Sequence, residues 1–405
     1  MSVDVTAIRA QFPIFGNIEG PFHYLDNAAT GQICAPAAEA LIRFETATRA
    51  NVKRGVYRLA DAATNAFAEA RHRVAAYINA PSADEVAFTS GTTLAINIIA
   101  HGLTSKLEAG DEILISELEH HSNIVPWQLA AEPVGARVRA IPVDDEGRLD
   151  LERLGDLVTG RTRIVAVTHC SNVTGAVTDV ARIREAARSV GALLVLDGAQ
   201  RAPHGPLDVQ ALGCDAYTFS AHKMFGATGA GALWIRAELA RELPPLLGGG
   251  EMIRRVTVEK TTYAAPPHRF EAGTPPIGPV LAMGAAARWL GEQDWGALGV
   301  HELQLTERLL DGLSAMPRVR IYGPGGLQGR LGVVAFEVDG IHAHDVCQML
   351  DGHGVALRGG HHCAQPLMER FDVAATARAS LAPYNDDQDI DALLNGLDHT
   401  IRKLA

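Results

Sequence analysis

From about residue 85 to 236 the chain alternates short apolar runs with helix-length segments, and this rhythm constrains its fold more than any other feature. The runs are VAFTS, EILIS, ARVRAIPV, RIVAVTH, ALLVLD, AYTFS and GALWI. Short apolar runs separated by helical patterns read as strands of a mostly parallel, doubly wound sheet. Polar residues fall just after the runs: Ser90-Gly91-Thr92-Thr93, Glu119-His120-His121, Asn172, Asp197 with Gln200, and Ser220 with His222 and Lys223. Ligands bind beyond the carboxyl ends of strands in open α/β sheets, so these clusters are expected to line one crevice.

A chain of 405 residues with 47% hydrophobic content can bury a large core, which favours one big domain plus a smaller one. Pro/Gly-rich stretches at 243–250 and 264–279 separate the sheet from a C-terminal part. There, a helical pattern near 280–290 is followed by strand-like Val333-Val334-Ala335-Phe336 and a helix-like segment at 345–350. The expected division is an N-terminal arm at 1–22 packing with the small domain, a cofactor-binding large domain at 23–280, and a small α/β domain at 281–405. A net charge of -11 disfavours nucleic acid or an anionic membrane as partner. The start MSVDVTAIRAQF has no basic-then-apolar pattern and no apolar run reaches about 18 residues, so the expected location is the cytoplasm. Five scattered cysteines, Cys34, Cys170, Cys214, Cys347 and Cys363, lack CxxC spacing and argue against a disulfide framework.

Lys223 stands just past the run AYTFS and ahead of the Gly-rich stretch 226–231. A lysine at a strand end inside a crevice has its amine desolvated and becomes a nucleophile for carbonyl cofactors. Asp197, ending the run LLVLD, suits the pyridinium nitrogen of pyridoxal 5'-phosphate, and Gln200 can donate to its ring oxygen. Gly91-Thr92-Thr93, where a helix over 94–100 is expected to start, supplies donors for a phosphate, with Ser220 and His222 as further donors. His120 offers an aromatic face to a pyridine ring.

Together these residues resemble the class V aminotransferase family, and within it the cysteine desulfurases and selenocysteine lyases of the SUF iron–sulfur assembly type with a compact catalytic loop. The motifs carrying the resemblance are Tyr24-Leu25-Asp26-Asn27-Ala28-Ala29, Glu119 to Trp127, Ser171-Asn172-Val173-Thr174-Gly175, and Val195-Leu196-Asp197-Gly198-Ala199-Gln200. They continue with Ser220-Ala221-His222-Lys223, Arg269 to Pro275, Arg358-Gly359-Gly360-His361-His362-Cys363-Ala364-Gln365-Pro366-Leu367 and Arg378-Ala379-Ser380-Leu381. The resemblance implies the fold type I of pyridoxal phosphate transferases and a homodimer. It implies covalent attachment of the cofactor at Lys223, Asp197 on the pyridinium, Gln200 on the ring oxygen and His120 stacked on the ring. Thr92, Thr93, Ser220 and His222 would hold the phosphate, with Thr274 reaching in from the partner subunit. Asn172, Arg358 and Arg378 would bind substrate, Arg378 through the planar fork that fits a carboxylate.

Lys223, His120 and Cys363 are the catalytic residues this resemblance implies, and Cys363 decides the reaction. In family members with this constellation, a cysteine after His-His marks sulfur transfer from L-cysteine, through an enzyme persulfide, to an acceptor protein. Breaking the carbon–sulfur bond needs a group that accepts sulfur, and a thiolate is one. The alternatives are a selenocysteine lyase or another class V lyase or epimerase, and, from a different class, a non-catalytic binding protein on the same fold. A zinc site built from His361, His362 and Cys363 is disfavoured, because adjacent residues rarely converge on one tetrahedral metal. Leu94, Lys53 and Gly359 depart from the family pattern, which usually has an acidic residue, a histidine and a threonine there.

Overall fold

The computed structural model describes residues 3–404. All seven apolar runs form strands of one sheet, in the order Val86–Thr89, Gly231–Ile235, Ala216–Ser220, Leu193–Asp197, Thr162–Thr168, Glu112–Ser116, Arg137–Ile141. Gly231–Ile235 runs antiparallel to both of its neighbours, and every other pairing is parallel. Alternate residues serve opposite faces: Val165, Val167, Leu194, Leu196, Tyr217 and Phe219 pack in one apolar cluster, while Ile164, Ala166, Val195 and Ala216 pack in another. A period of two with both faces apolar is what a sheet covered by helices on each side requires.

On one face, helices Ala35–Arg43, Arg58–Tyr77 and Ile277–Gly291 pack side by side. Their contact is close because it is built from small residues: a Cβ on Gly284 would stand 2.6 Å from Ala70 Cα. The expected helix near 280–290 is therefore Ile277–Gly291, and the division expected at residue 280 falls inside it.

The C-terminal part has its own antiparallel sheet, ordered Val319–Tyr322, Val333–Val338, Thr376–Ser380, Arg358–Gly360. Its core joins Leu305, Leu309, Val334, Phe336, Leu350 and Leu393. Strand His23–Tyr24 pairs with Val355–Ala356 beside this sheet. The N-terminal arm touches both parts of the molecule. Buried Phe12 meets Phe225, Trp289 and Tyr384 edge-on, and Arg9 reaches Asp389 at 3.1 Å. No helix among the described residues is long and apolar enough to cross a membrane.

Candidate active site

The carboxyl ends of the parallel strands open into a cavity bounded on its far side by strands and loops of the C-terminal part. Thr92, Thr93, His120, Asn172, Asp197, Gln200, Ser220, His222, Lys223, Arg358, Cys363 and Arg378 all line it. Thr274 does not; it lies exposed on the loop before Ile277.

Each side chain has a local reason for its place. Strand Leu193–Asp197 ends on Asp197, whose Oδ1 accepts the Ala199 N–H at 2.9 Å. Burial pushes this carboxyl above its ordinary range, while that amide and Lys223 pull the other way. Lys223 follows strand Ala216–Ser220, and burial holds its amine down to about 8 even though Asp197 favours the charged form. The helix expected from residue 94 begins earlier, at Thr92, and runs to Thr104 behind Gly91. Gly91 has φ +153°, and the Ser220 hydroxyl lies 3.3 Å from where its Cβ would be. Ser220 Oγ accepts the Thr92 N–H at 2.9 Å and shares a second hydrogen bond with Thr92 Oγ1. A helix start and its hydroxyls thus face the cavity, the arrangement that suits a phosphate.

The histidines here are neutral near pH 7. Burial and then Lys223 lower both His120 and His222 to about 4. His120 Nδ1 accepts the Ser122 N–H at 3.1 Å, so its proton sits on Nε2. His222 can offer a phosphate a hydrogen bond but no charge, and its Nδ1 lies 3.2 Å from Thr30 Oγ1. Gln200 Nε2 donates to Ala28 O at 2.8 Å, leaving one amide hydrogen for a ligand.

Arg358 and Arg378 are Cα partners on neighbouring strands, so the register sets two guanidinium groups side by side. Like charges directly opposite destabilise a sheet, and an anion between them relieves that cost. Arg378 donates to Asn172 O at 2.9 Å and to Asp26 Oδ1 at 2.8 Å, and its buried Nε has no hydrogen-bond partner. Asn172 is itself held, its amide donating to His362 O at 2.8 Å. The donor set fits pyridoxal 5'-phosphate and an amino acid together: a nucleophilic amine, a buried carboxylate without a cationic hydrogen-bond partner, a helix start for phosphate and an arginine pair for a carboxylate.

Cys363 is half-buried at the cavity edge. It and His362 have φ of +55° and +52°, a left-handed pair that side-chain-bearing residues adopt at a cost of about 1–3 kcal/mol each. A Cβ on Gly359 would meet His344 Cδ2 at 2.9 Å and Ala343 O at 3.0 Å, which accounts for the missing side chain at this departure from the family pattern.

Sequence reasoning left several contributors without a role. Asp26, in the Tyr24 to Ala29 motif, orients Arg378; Ser122 fixes the His120 tautomer; His362, buried in the lining, has Nε2 at 3.1 Å from Thr376 O. Glu119 lies fully buried, accepting from Ser116, Asn123 and the Thr168 N–H, and burial lifts its carboxyl to about 8. These residues anchor the turn that carries His120. Only their membership of recurring motifs marked them beforehand.

The profile of the family described as Aminotransferase class-V matches residues 23–393. The chain is 44% identical to a probable cysteine desulfurase of Streptomyces coelicolor, over 98% of this chain and 97% of that one. It is 43% identical to a cysteine desulfurase of Escherichia coli, with 100% of both covered. Among solved structures it superposes on the E. coli cysteine desulfurase CsdA with a TM-score of 0.93 at 37% identity, covering all of both chains. It is also similar to a C-DES mutant carrying glycine covalently linked to its PLP cofactor, at 25% identity and a TM-score of 0.82 over 96% of this chain and 98% of that one.

Proposed function

The chain belongs to the class-V aminotransferase family, and from that membership we propose that it is a pyridoxal 5'-phosphate-dependent cysteine desulfurase with Cys363 as its sulfur acceptor. The observation that carries this reading is one cavity lined by Lys223, Asp197, the Arg358–Arg378 pair and Cys363. Bound pyridoxal 5'-phosphate supplies an electron sink that loosens the bonds at the substrate α-carbon. Lys223 would hold it covalently and Asp197 would pair with its ring nitrogen. Thr92, Thr93, Ser220 and His222 would hold its phosphate, Gln200 its ring oxygen and His120 its face.

Arg378, oriented by Asp26 and assisted by Arg358 and Asn172, takes the carboxylate of L-cysteine. The Lys223 amine, freed when the amine of the substrate takes its place, would accept the α-proton as general base. The Cys363 thiolate attacks the substrate sulfur: a sulfur–sulfur bond forms, the Cβ–S bond breaks with its electron pair left on carbon, and that carbon is protonated. L-cysteine and the Cys363 thiol thus become L-alanine and a Cys363 persulfide. The persulfide passes to an acceptor protein in iron–sulfur cluster assembly, in the cytoplasm, and the enzyme works as a homodimer with Thr274 completing the partner's phosphate site. Helix Ile277–Gly291 packs with the large sheet's helices, so the division between domains lies just after it.

The test is to incubate the holoenzyme with L-cysteine and quantify alanine together with persulfide on Cys363 by mass spectrometry. Cys363→Ser should bind the cofactor normally yet release alanine roughly 100-fold more slowly or worse, because a hydroxyl neither ionises nor accepts sulfur. Full cysteine turnover by this variant would overturn the mechanism.

A further inference from the structure

His120 and His121 are adjacent, but only His120 lines the cavity. The neighbouring imidazole does something else. The His121 N–H donates to Cys363 O at 2.7 Å, its ring Nε2 accepts the Gln365 N–H at 3.2 Å, and its ring lies 5.6 Å from that of His361 at a tilt of 35°. Within the segment itself, His361 Nδ1 accepts the Cys363 N–H at 3.1 Å. The backbone polar atoms around Cys363 are therefore held by two histidines rather than by a strand ladder. They flank His362 and Cys363, which stand in the left-handed region where side-chain-bearing residues stay only if neighbours hold them. Upstream, strand Arg358–Gly360 ends on Gly360, whose φ of +135° is one that glycine adopts without strain, so the ladder stops just before the segment.

We propose that His121 is a positioning residue that clasps the Cys363 segment to the turn bearing His120, holding the thiol at the cavity until the clasp opens and the segment turns outward. Its purpose rests on Cys363 being the sulfur acceptor; its geometry does not. The clasp links the two halves of the site through a single dipeptide, since His120 faces the cavity while His121 grips the segment.

The ring acts as a hydrogen-bond acceptor, so His121→Gln, whose amide oxygen also accepts, keeps the contact and His121→Ala loses it. On substrate-free holoenzyme, two quantities are read: hydrogen exchange of the peptide spanning 361–367, and the rate of Cys363 alkylation by iodoacetamide. His121→Ala is expected to raise both by about five- to tenfold, the weight of one lost hydrogen bond, with cofactor absorbance unchanged. His121→Gln should stay near wild type, and His361→Ala, which removes the acceptor of the Cys363 N–H, should reproduce the rise. Unchanged exchange and alkylation in His121→Ala, or equal rises in the Ala and Gln variants, would overturn the clasp. Neither readout involves turnover, so a wild-type enzyme that made no alanine from cysteine would defeat the desulfurase reading alone.

Discussion

Two terminal nitrogens of Arg378 are committed to Asn172 O and Asp26, while its buried Nε–H has no hydrogen-bond partner. Charge alone does not reproduce that arrangement. Arg378→Lys retains a cation but loses the planar fork and both orienting bonds, so KM for cysteine should rise about 10- to 100-fold with cofactor binding intact. An unchanged KM in steady-state assays would shift carboxylate recognition to Arg358. Lys223 gives a pH signature. Burial lowers its amine from an ordinary 10.5 to about 8, so the neutral, nucleophilic form grows as pH rises and dominates above about 8. The rate at which apoenzyme takes up pyridoxal 5'-phosphate should climb from pH 6 and level off beyond 8, followed by absorbance. A rise continuing to pH 10 would mean that the amine is not desolvated.

Among the elements, the loop 264–276 depends on one buried ion pair. Arg71 on helix Arg58–Tyr77 donates to both oxygens of Glu271, at 2.5 and 2.9 Å, and Glu271 also accepts the Phe88 N–H of strand Val86–Thr89 at 2.8 Å. Burial alone would raise this carboxyl, but His268, Arg71 and the Phe88 amide outweigh it and hold it down to about 2. Its stabilisation is thus present above the ordinary 4.5 and is lost as pH falls toward 2. Glu271→Ala leaves a buried guanidinium uncompensated and should cost about 3–5 kcal/mol, read from the denaturant midpoint at pH 7. Wild type and variant should converge in stability near pH 2. The inner strands of the large sheet were legible beforehand because a strand buried on both faces is written as a continuous apolar run, whereas the edge strand Arg137–Ile141, with two arginines and little burial, was marked mainly by its place in the alternation. The helix start at Thr92 was less legible, since threonines cap helices as readily as they begin them.

For the whole molecule, apolar side chains on the hairpin Ile253–Val256 and Thr261–Tyr263, with Val258 at its tip, are exposed, as are Val56 and Tyr57. Exposed apolar side chains of this kind suit contact with a second copy of the chain. Sedimentation should give twice the 43.1 kDa of one chain, and Thr274→Ala should weaken cofactor retention without lowering the thermal midpoint. A fully active monomer would refute both. The sequence by itself determined the parallel sheet, the lysine–aspartate pair and the cysteine segment, because each is encoded locally, in apolar runs and in residues at strand ends. Only the tertiary structure decided that Arg358 and Arg378 are strand neighbours, that Asp26 orients one of them, and that His121 grips the backbone around Cys363. Those contacts join residues far apart along the chain, and the register and packing that create them are set by the folded core as a whole, which no local pattern records.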